Sequence, residues 1–126
     1  MERHTRQRVA IDRVFAEYQR PLDPHEVLDA ARAHVPSMGI ATVYRALRTL
    51  LDEGRVVPVV LPGQHVRYEA ARGIHHHHFQ CRHCRKVFEL NGCSGNFAPL
   101  VPFGFQMDDH ELVLYGHCDE CAQYPE

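Results

Sequence analysis

Membrane-spanning segments are absent from this sequence, since no apolar run approaches the ~20 residues that a helix needs to cross a bilayer. No basic segment followed by an apolar stretch marks a signal peptide, and no internal repeat is visible. Hydrophobic residues nevertheless make up 44% of the 126 residues, the proportion of a globular protein rather than a disordered one. We therefore expect a folded cytoplasmic protein of one or two small domains, with no membrane association.

The sequence also lacks an excess of positive charge. Its formal net charge is -2 at pH 7, which argues against a protein that coats nucleic acid without regard to sequence. Positive charge is concentrated locally, with Arg3, Arg6 and Arg8 near the N-terminus and Arg45 and Arg48 later in the chain. Such patches can bind phosphates even in a mildly acidic protein.

Cysteine is missing from the first half of the chain, and all five cysteines follow residue 80. Four of them form two pairs, Cys81-x-x-Cys84 and Cys118-x-x-Cys121. Two such pairs can enclose one tetrahedral Zn²⁺ with four thiolates, which leaves no open position and makes the site structural. A reducing cytosol favours zinc over disulfides, and the metal would then be needed for folding. Cys93 is left over, and its options are a buried thiol, a metal ligand or a redox site.

The spacing of apolar residues in the first half predicts helices followed by a β-hairpin. Asp23-Pro24 gives an N-cap with proline at the first helical position, and Gly54 ends a later helix. The first helix is predicted to bury a stripe formed by Val9, Ile11, Val14, Phe15 and Tyr18. The predicted helices cover residues 5–19, 24–35 and 40–52, and the predicted strands cover residues 56–61 and 65–69 on either side of Pro62-Gly63. This order predicts a winged helix-turn-helix domain over residues 1–70.

The second half, residues 75–126, follows a hinge at residues 71–74. It is predicted to contain a strand running into Cys81, a strand at 86–90, a short helix around 97–100 and a strand at 110–117. Helices precede strands rather than alternate with them, so we expect an α+β fold.

The outward face of the helix at 40–52 is rich in side chains that contact DNA. It carries Thr42, Tyr44, Arg45, Arg48 and Thr49. Arginine binds phosphates and guanine edges, while tyrosine packs on thymine methyl groups. The N-terminal arginines, Arg3, Arg6 and Arg8, could reach a neighbouring minor groove. The alternatives are an ordinary solvated helix face and a frayed terminus.

Four consecutive histidines, His75 to His78, shortly precede Cys81. On a strand, His76 and His78 would face one way and His75 and His77 the other, so one run can serve two metal sites. The alternative is a solvated polar strand. Imidazole suits zinc, iron, nickel and copper, and these residues therefore leave the metal open.

Other residues are placed to complete these two sites. Glu69, at the end of the hairpin, could join His76 and His78, and His25 could complete that site or be only a surface residue of its helix. His110, at the start of the last predicted strand, could join His75 and His77.

Three motifs together resemble the ferric uptake regulator family, which includes iron, zinc and peroxide sensors. They are Gly39-Ile-Ala-Thr-Val-Tyr-Arg-Ala-Leu47, the histidine run before Cys81-x-x-Cys84, and Leu114-Tyr-Gly-His-Cys-x-x-Cys121. The resemblance covers nearly the whole chain.

The resemblance implies a homodimer that binds an AT-rich, pseudo-palindromic operator, with residues 75–126 as a metal-binding dimerisation domain. It implies that Tyr44 and Arg45 lie on the recognition helix. Its implied metals are structural zinc at Cys81, Cys84, Cys118 and Cys121, and regulatory Zn²⁺ or Fe²⁺/Mn²⁺ at Glu69, His76 and His78. It also implies a third site that uses His75, His77 and His110.

The sequence departs from the family pattern at three positions. Pro21 stands where many relatives carry a histidine before the second helix, and Ala71 stands roughly where zinc sensors often place a cysteine. The glutamate that relatives use for the third site is absent, and Cys93 or Asn96 is nearest. Glu69 stands where peroxide sensors usually have aspartate.

These features predict a metal-dependent repressor, with zinc uptake as the first hypothesis and iron or peroxide response as the alternative. A zinc hydrolase built on Glu69, His76 and His78 is a hypothesis of a different class, although no substrate pocket is evident. A constitutive zinc-ribbon interaction module, whose histidines merely buffer metal, is another.

Overall fold

The computed structural model describes residues 3–73, 76–93 and 95–123, with side chains from Thr5 onward. The chain separates into two compact units, Met1–Gly73 and Ile74–Glu126. Helices and strands both occur, so the predicted α+β fold is confirmed. Along the described residues, no helix combines the length and the apolar character that crossing a bilayer requires.

Helices build the core of the first unit. Within its described residues they are α1 (Arg3–Glu17), α2 (Pro24–Ala31) and α3 (Ile40–Asp52). The three helices contact one another, and the side chains at their centre are no more than 2% exposed: Ile11, Val14, Val27, Val43 and Leu47. Complete burial of such a side chain contributes roughly 1.5–3 kcal/mol, so this cluster is the main source of stability in the unit.

The buried stripe of α1 differs from the prediction at both ends. Ile11, Val14 and Phe15 are buried, but Val9 is 43% exposed and Tyr18 is 41% exposed. Val9 lies roughly 200° around the helix from Ile11, so both cannot face the core. Tyr18 lies beyond the last residue of α1, where helical spacing no longer positions a side chain.

The N-terminus of α2 carries the predicted cap. The Asp23 carboxylate accepts a hydrogen bond of 2.9 Å from the Glu26 backbone N–H, and the Glu26 carboxylate accepts one of 3.1 Å from the Asp23 N–H. Pro24 occupies the first turn of the helix. This reciprocal capping box is strengthened by Arg20, whose guanidinium lies 2.8 Å from the second Glu26 oxygen.

The C-terminus of α3 ends as predicted at Gly54, which has a positive φ of 71°. Its N–H donates to the Leu51 carbonyl at 3.0 Å, and the Arg55 N–H donates to the Leu50 carbonyl at 2.9 Å. These two bonds satisfy carbonyls that the helix leaves open and turn the chain into the hairpin.

The hairpin of the first unit consists of β1 (Val56–Val59) and β2 (Arg67–Ala70), paired antiparallel with Val57 opposite Glu69. Both strands are shorter than predicted, because the loop between them takes up more residues than a two-residue turn. Leu22 and Tyr68 exchange backbone hydrogen bonds of 2.8 Å, so the segment before α2 is tied to the hairpin.

The second unit is built around β3 (His76–Cys81). In its described part, β3 lies between β4 (Val87–Asn91), to which it is antiparallel, and β5 (Val113–Gly116), to which it is parallel. A short helix, α4 (Asp119–Gln123), follows β5. The central strand therefore places its side chains between both neighbours, on two faces of one sheet.

Three details of the second unit differ from the prediction. The helix expected around residues 97–100 is a single 3₁₀ turn, Ala98–Leu100, and the last strand is only four residues long. His110 therefore lies before β5 rather than in it. The helix α4 was not predicted, since five residues are too few to show helical periodicity.

Candidate metal centres and recognition helix

Four cysteine sulfur atoms come together at one end of the second sheet. Cys81 ends β3, Cys84 lies in the following turn, Cys118 follows β5 and Cys121 lies in α4. The four ligand atoms all lie within 4.8 Å of one another, and none of these cysteines is in a disulfide. The Cys84 and Cys118 sulfurs are 3.9 Å apart, close to the roughly 3.8 Å edge of a tetrahedron with Zn–S bonds of about 2.3 Å. The set therefore fits a closed Zn²⁺ site.

Backbone geometry prepares the first cysteine pair for this role. Arg85 has a positive φ of 69°, unusual for a residue with a side chain, and its N–H donates to the Cys81 carbonyl at 3.0 Å. The Cys84 N–H points at the Cys81 sulfur at 3.4 Å. Next to it, the Arg82 N–H donates to the Gly116 carbonyl at 2.7 Å, which ties this turn to the end of β5.

The thiols of this cluster differ in acidity when no cation is present. Burial alone would raise the pKa of the Cys81 thiol, but hydrogen bonds from backbone groups of Cys118, Cys84 and His83 outweigh it and lower the pKa to about 5. Burial raises the pKa of Cys84, and burial together with the neighbouring thiols raises the pKa of Cys121 to about 12. Four thiolates cannot share this space without a cation, which is the electrostatic reason that the cluster suits a divalent metal.

A second cluster lies on one face of β3. The rings of His76 and His78 have centroids 5.0 Å apart, as alternation along a strand requires. Glu89 of β4 lies directly opposite His78, and its carboxylate is 3.6 Å from His76 Nε2. The sequence reasoning missed Glu89. Antiparallel pairing of the two strands that flank Cys81-x-x-Cys84 would have indicated it, since a short turn fixes the register.

The other residues predicted for this site lie in the first unit. Glu69 is on β2 with a buried side chain, and His25 is on α2 with an exposed side chain.

A third cluster lies on the opposite face of β3. The buried His77 ring lies 5.1 Å from the His110 ring, and the Cys93 sulfur lies 3.3 Å from His110 Nε2. One ligand atom from each of these residues lies within 4.8 Å of the others. Cys93 follows β4, so the thiol that sequence reasoning left unassigned lies beside two of the predicted third-site histidines. The remaining one, His75, lies outside the described residues.

The predicted recognition residues lie on α3. Tyr44 is 53% exposed, Arg45 and Arg48 are exposed, and Thr42 is partly exposed. Arg45 donates to the Thr42 hydroxyl at 3.2 Å, which orients the guanidinium along the helix surface. A groove of about 210 Å³ runs between this face and α1, lined by Gln7, Arg8, Thr42, Arg45, Ala46 and Thr49.

The N-terminal arginines differ in their surroundings. Arg6 is exposed on α1, whereas Arg8 lies 3.5 Å from the Glu53 carboxylate, which partly neutralises it. The side chain of Arg3 lies outside the described part of the chain. Arg6 is therefore the arginine of this group whose exposed charge the structure defines.

Comparison with known proteins identifies the family. The model of the ferric uptake regulator family matches residues 2–115. A curated relative, "Ferric uptake regulation protein 2" of Mycolicibacterium fortuitum, is 30% identical over 98% of this chain and 88% of its own length. Two solved structures are similar. The ferric uptake regulator of Francisella tularensis with iron has a TM-score of 0.70 and 31% identity, covering 92% of this chain and 91% of its own. A zinc-bound manganese uptake regulator has a TM-score of 0.78 and 26% identity, covering 93% and 91%.

A family match over most of the chain, together with a relative of nearly equal length, leaves no room for the enzyme hypothesis. This chain belongs to the ferric uptake regulator family, whose members are transcriptional regulators and not enzymes.

Proposed function

We propose that this protein is a zinc-dependent DNA-binding repressor of zinc-uptake genes, acting in the cytoplasm as a homodimer. The observation that carries the proposal is the histidine–carboxylate cluster of His76, His78 and Glu89 in a chain whose α3 exposes Tyr44 and Arg45. The first group is suited to bind a divalent cation, and the second to bind a DNA groove.

Zinc is favoured over iron by the donors of the regulatory cluster. Its histidines are ligands that zinc accepts readily, and Glu69 stands where peroxide sensors usually carry aspartate. Iron is the second candidate, because the curated relative is named for ferric uptake and one similar structure contains iron. An iron-dependent or peroxide-dependent repressor would use the same fold and the same DNA-binding helix.

The proposed mechanism is a hinge fixed by metal. Glu69 of the first unit, together with His76, His78 and Glu89 of the second, binds the regulatory ion, and His25 is the candidate for a further ligand. The ion restricts the angle between the units of each chain. Two recognition helices can then enter major grooves about 34–36 Å apart, one helical turn along the operator. The ion shifts the population of dimers towards this arrangement.

Homodimer formation is supported by apolar side chains that the second unit leaves in solvent. Leu100 is 78% exposed, Phe105 is 70% exposed, and Phe103 is as exposed as in an extended peptide. Large apolar side chains grouped in this way are typical of protein interfaces. A second copy of the chain is the proposed partner, and a two-fold dimer matches a pseudo-palindromic, AT-rich operator.

The test is DNA binding by the full-length protein with its structural zinc retained. An operator is first selected from a random duplex library in the presence of metal. Fluorescence anisotropy then follows binding at buffered free Zn²⁺, Fe²⁺ or Mn²⁺. We expect tight binding at low free Zn²⁺ and none at comparable Fe²⁺ or Mn²⁺.

Two variants and one control assign the residues. Replacing both His76 and His78 by alanine should abolish the zinc response, and Arg45→Ala should weaken DNA binding by about 1–3 kcal/mol at saturating zinc. His34→Ala, at an exposed histidine of the first unit, should change neither. Activation by Fe²⁺ or Mn²⁺ would assign the protein to the iron or peroxide branch, and binding that ignores metal would refute the switch.

A further inference from the structure

We infer that Cys93, His77 and His110 form a separate thiolate-containing site that binds Zn²⁺ in preference to Fe²⁺ or Mn²⁺. This inference deepens the proposed function, because it assigns a second zinc-selective position to the same sensor. Binding at this site can nevertheless be measured without DNA.

The spacing of the donor atoms fits one metal ion. The Cys93 sulfur and His110 Nε2 are 3.3 Å apart, and one donor atom from each of the three residues lies within 4.8 Å of the others. Bonds of about 2.3 Å to sulfur and about 2.0–2.1 Å to nitrogen place two ligands of a tetrahedral zinc ion roughly 3.5 Å apart. Small side-chain movements are therefore enough to bring all three donors onto one ion.

The residues around Cys93 hold the thiol in this position. Gly92, with a φ of 80°, turns the chain at the end of β4, so that Cys93 lies beside the His110 ring. The Phe97 ring packs on His110 with centroids 4.6 Å apart. Gly95 leaves room for that ring, since a Cβ at this position would lie 2.7 Å from the Phe97 side chain. The segment after β4 is thus shaped around His110.

The site is open, in contrast to the cluster of four cysteines. His77 is buried, but Cys93 is exposed, and a cavity of about 490 Å³ is lined by His77 and Cys93 together with Leu90, Phe97, Leu112 and Leu114. An ion can therefore enter from solvent, and water can occupy a fourth position. This arrangement suits reversible binding rather than a permanent structural ion.

The chemistry of the donors determines the preference. A thiolate is a soft ligand that selects zinc over the harder Mn²⁺ and Fe²⁺, which favour oxygen donors. Two neutral imidazoles and one thiolate bring a single negative charge to the ion. Because a carboxylate is absent from this donor set, manganese and iron lose the ligand type that suits them best.

Cobalt substitution tests the site directly. The full-length protein, with one structural zinc per chain, is titrated with Co²⁺ in the absence of DNA. A bond between cobalt and a thiolate gives a charge-transfer band in the near ultraviolet, which histidine and carboxylate ligands do not give. We expect this band to saturate at one Co²⁺ per chain while the structural zinc, followed with a chromogenic chelator, stays bound. Added Zn²⁺ should abolish the band, and an equal concentration of Mn²⁺ should not.

Matched variants identify the ligands. Cys93→Ser should remove the band and weaken Zn²⁺ binding at this site by at least about tenfold, the lower effect of losing even an outer partner of a ligand. His77→Ala and His110→Ala should weaken the band, whereas His34→Ala should leave it unchanged. Circular dichroism and structural zinc content show whether each variant is folded. If His110→Ala loses structural zinc, the readout passes to alkylation of Cys93 in the unaltered protein, which Zn²⁺ should slow and Mn²⁺ should not.

Persistence of the band in Cys93→Ser, or cobalt binding without any band in the unaltered protein, would overturn the inference. Metal-dependent DNA binding in a protein that lacks the band would leave the proposed repressor intact and remove only this site. A band that depends on Cys93 in a protein that does not bind DNA would do the opposite.

Discussion

At the scale of single residues, Glu89 shows what strand pairing adds to a sequence pattern. Alternation along the histidine run places His76 and His78 on one face, and their ring centroids lie 5.0 Å apart. Nothing in the run itself indicates a partner on another strand. Glu89 comes next to them through the register of β3 with β4, in which it lies opposite His78.

Replacement of Glu89 tests whether this carboxylate is a ligand of the regulatory ion. We expect Glu89→Gln to weaken binding of that ion by tenfold or more, because an amide brings no negative charge and is a poorer ligand. Competition with a zinc chelator of known affinity measures the change. Glu111→Gln, at an exposed carboxylate of the same unit, is the control and should bind as the unaltered protein does. Equal affinities for the two variants would show that Glu89 is not a ligand.

The cysteines provide a second contrast between residues, because Cys81 and Cys93 lie in chemically different surroundings. Cys81 is fully buried among three other thiols, whereas Cys93 is exposed beside histidines. We expect Cys81→Ser to lose the structural zinc and the cooperative unfolding of the second unit, since binding energy of such a metal is folding energy. Cys93→Ser should keep both. Zinc analysis and thermal unfolding followed by circular dichroism provide the readouts, and a zinc-loaded Cys81→Ser protein with an unchanged melting transition would contradict the structural role.

At the scale of elements, local signals were reliable where they involve specific residue chemistry. The Asp23-Pro24 cap and the Gly54 stop were predicted from sequence, and the structure contains both. Strand ends were less predictable, because pairing with a neighbour rather than β-propensity decides where a strand stops. Thus the hairpin strands are shorter than predicted, and β5 begins only at Val113.

The capping box of α2 gives a measurable stability prediction. Asp23→Ala removes the acceptor for the Glu26 N–H and should cost about 1 kcal/mol of unfolding free energy. Urea unfolding of the full-length protein measures it as an earlier midpoint for the transition of the first unit. Asp29→Ala changes an exposed aspartate within the same helix and serves as the control. Equal midpoints for the two variants would mean that the cap contributes nothing.

At the scale of the whole molecule, the two units differ in how much apolar surface they bury. The first unit encloses a continuous core between its helices and hairpin. Among the described residues of the second unit, Cys81, Val87 and Cys118 are the buried hydrophobic side chains. A zinc ion among thiolates and contact with a second copy of the chain would both supply stability that this small core cannot. Periodicity in the sequence could not reveal this, because it shows which face of an element is apolar but not which other chain covers it.

The dimer surface gives the last prediction. Phe103→Glu places a charge where the side chain is fully exposed in one chain, so the substitution should leave the fold of that chain unchanged. If a second copy covers this surface, burying the unpaired carboxylate is costly and the dimer should dissociate. Sedimentation velocity should then show monomers at concentrations at which the unaltered protein is dimeric, and affinity for a two-half-site operator should fall. Val60→Glu introduces the same charge at an exposed site of the first unit and should remain dimeric. A dimeric Phe103→Glu protein would place the dimer contact elsewhere on the second unit, because a buried glutamate at a real interface could not be accommodated without loss of affinity.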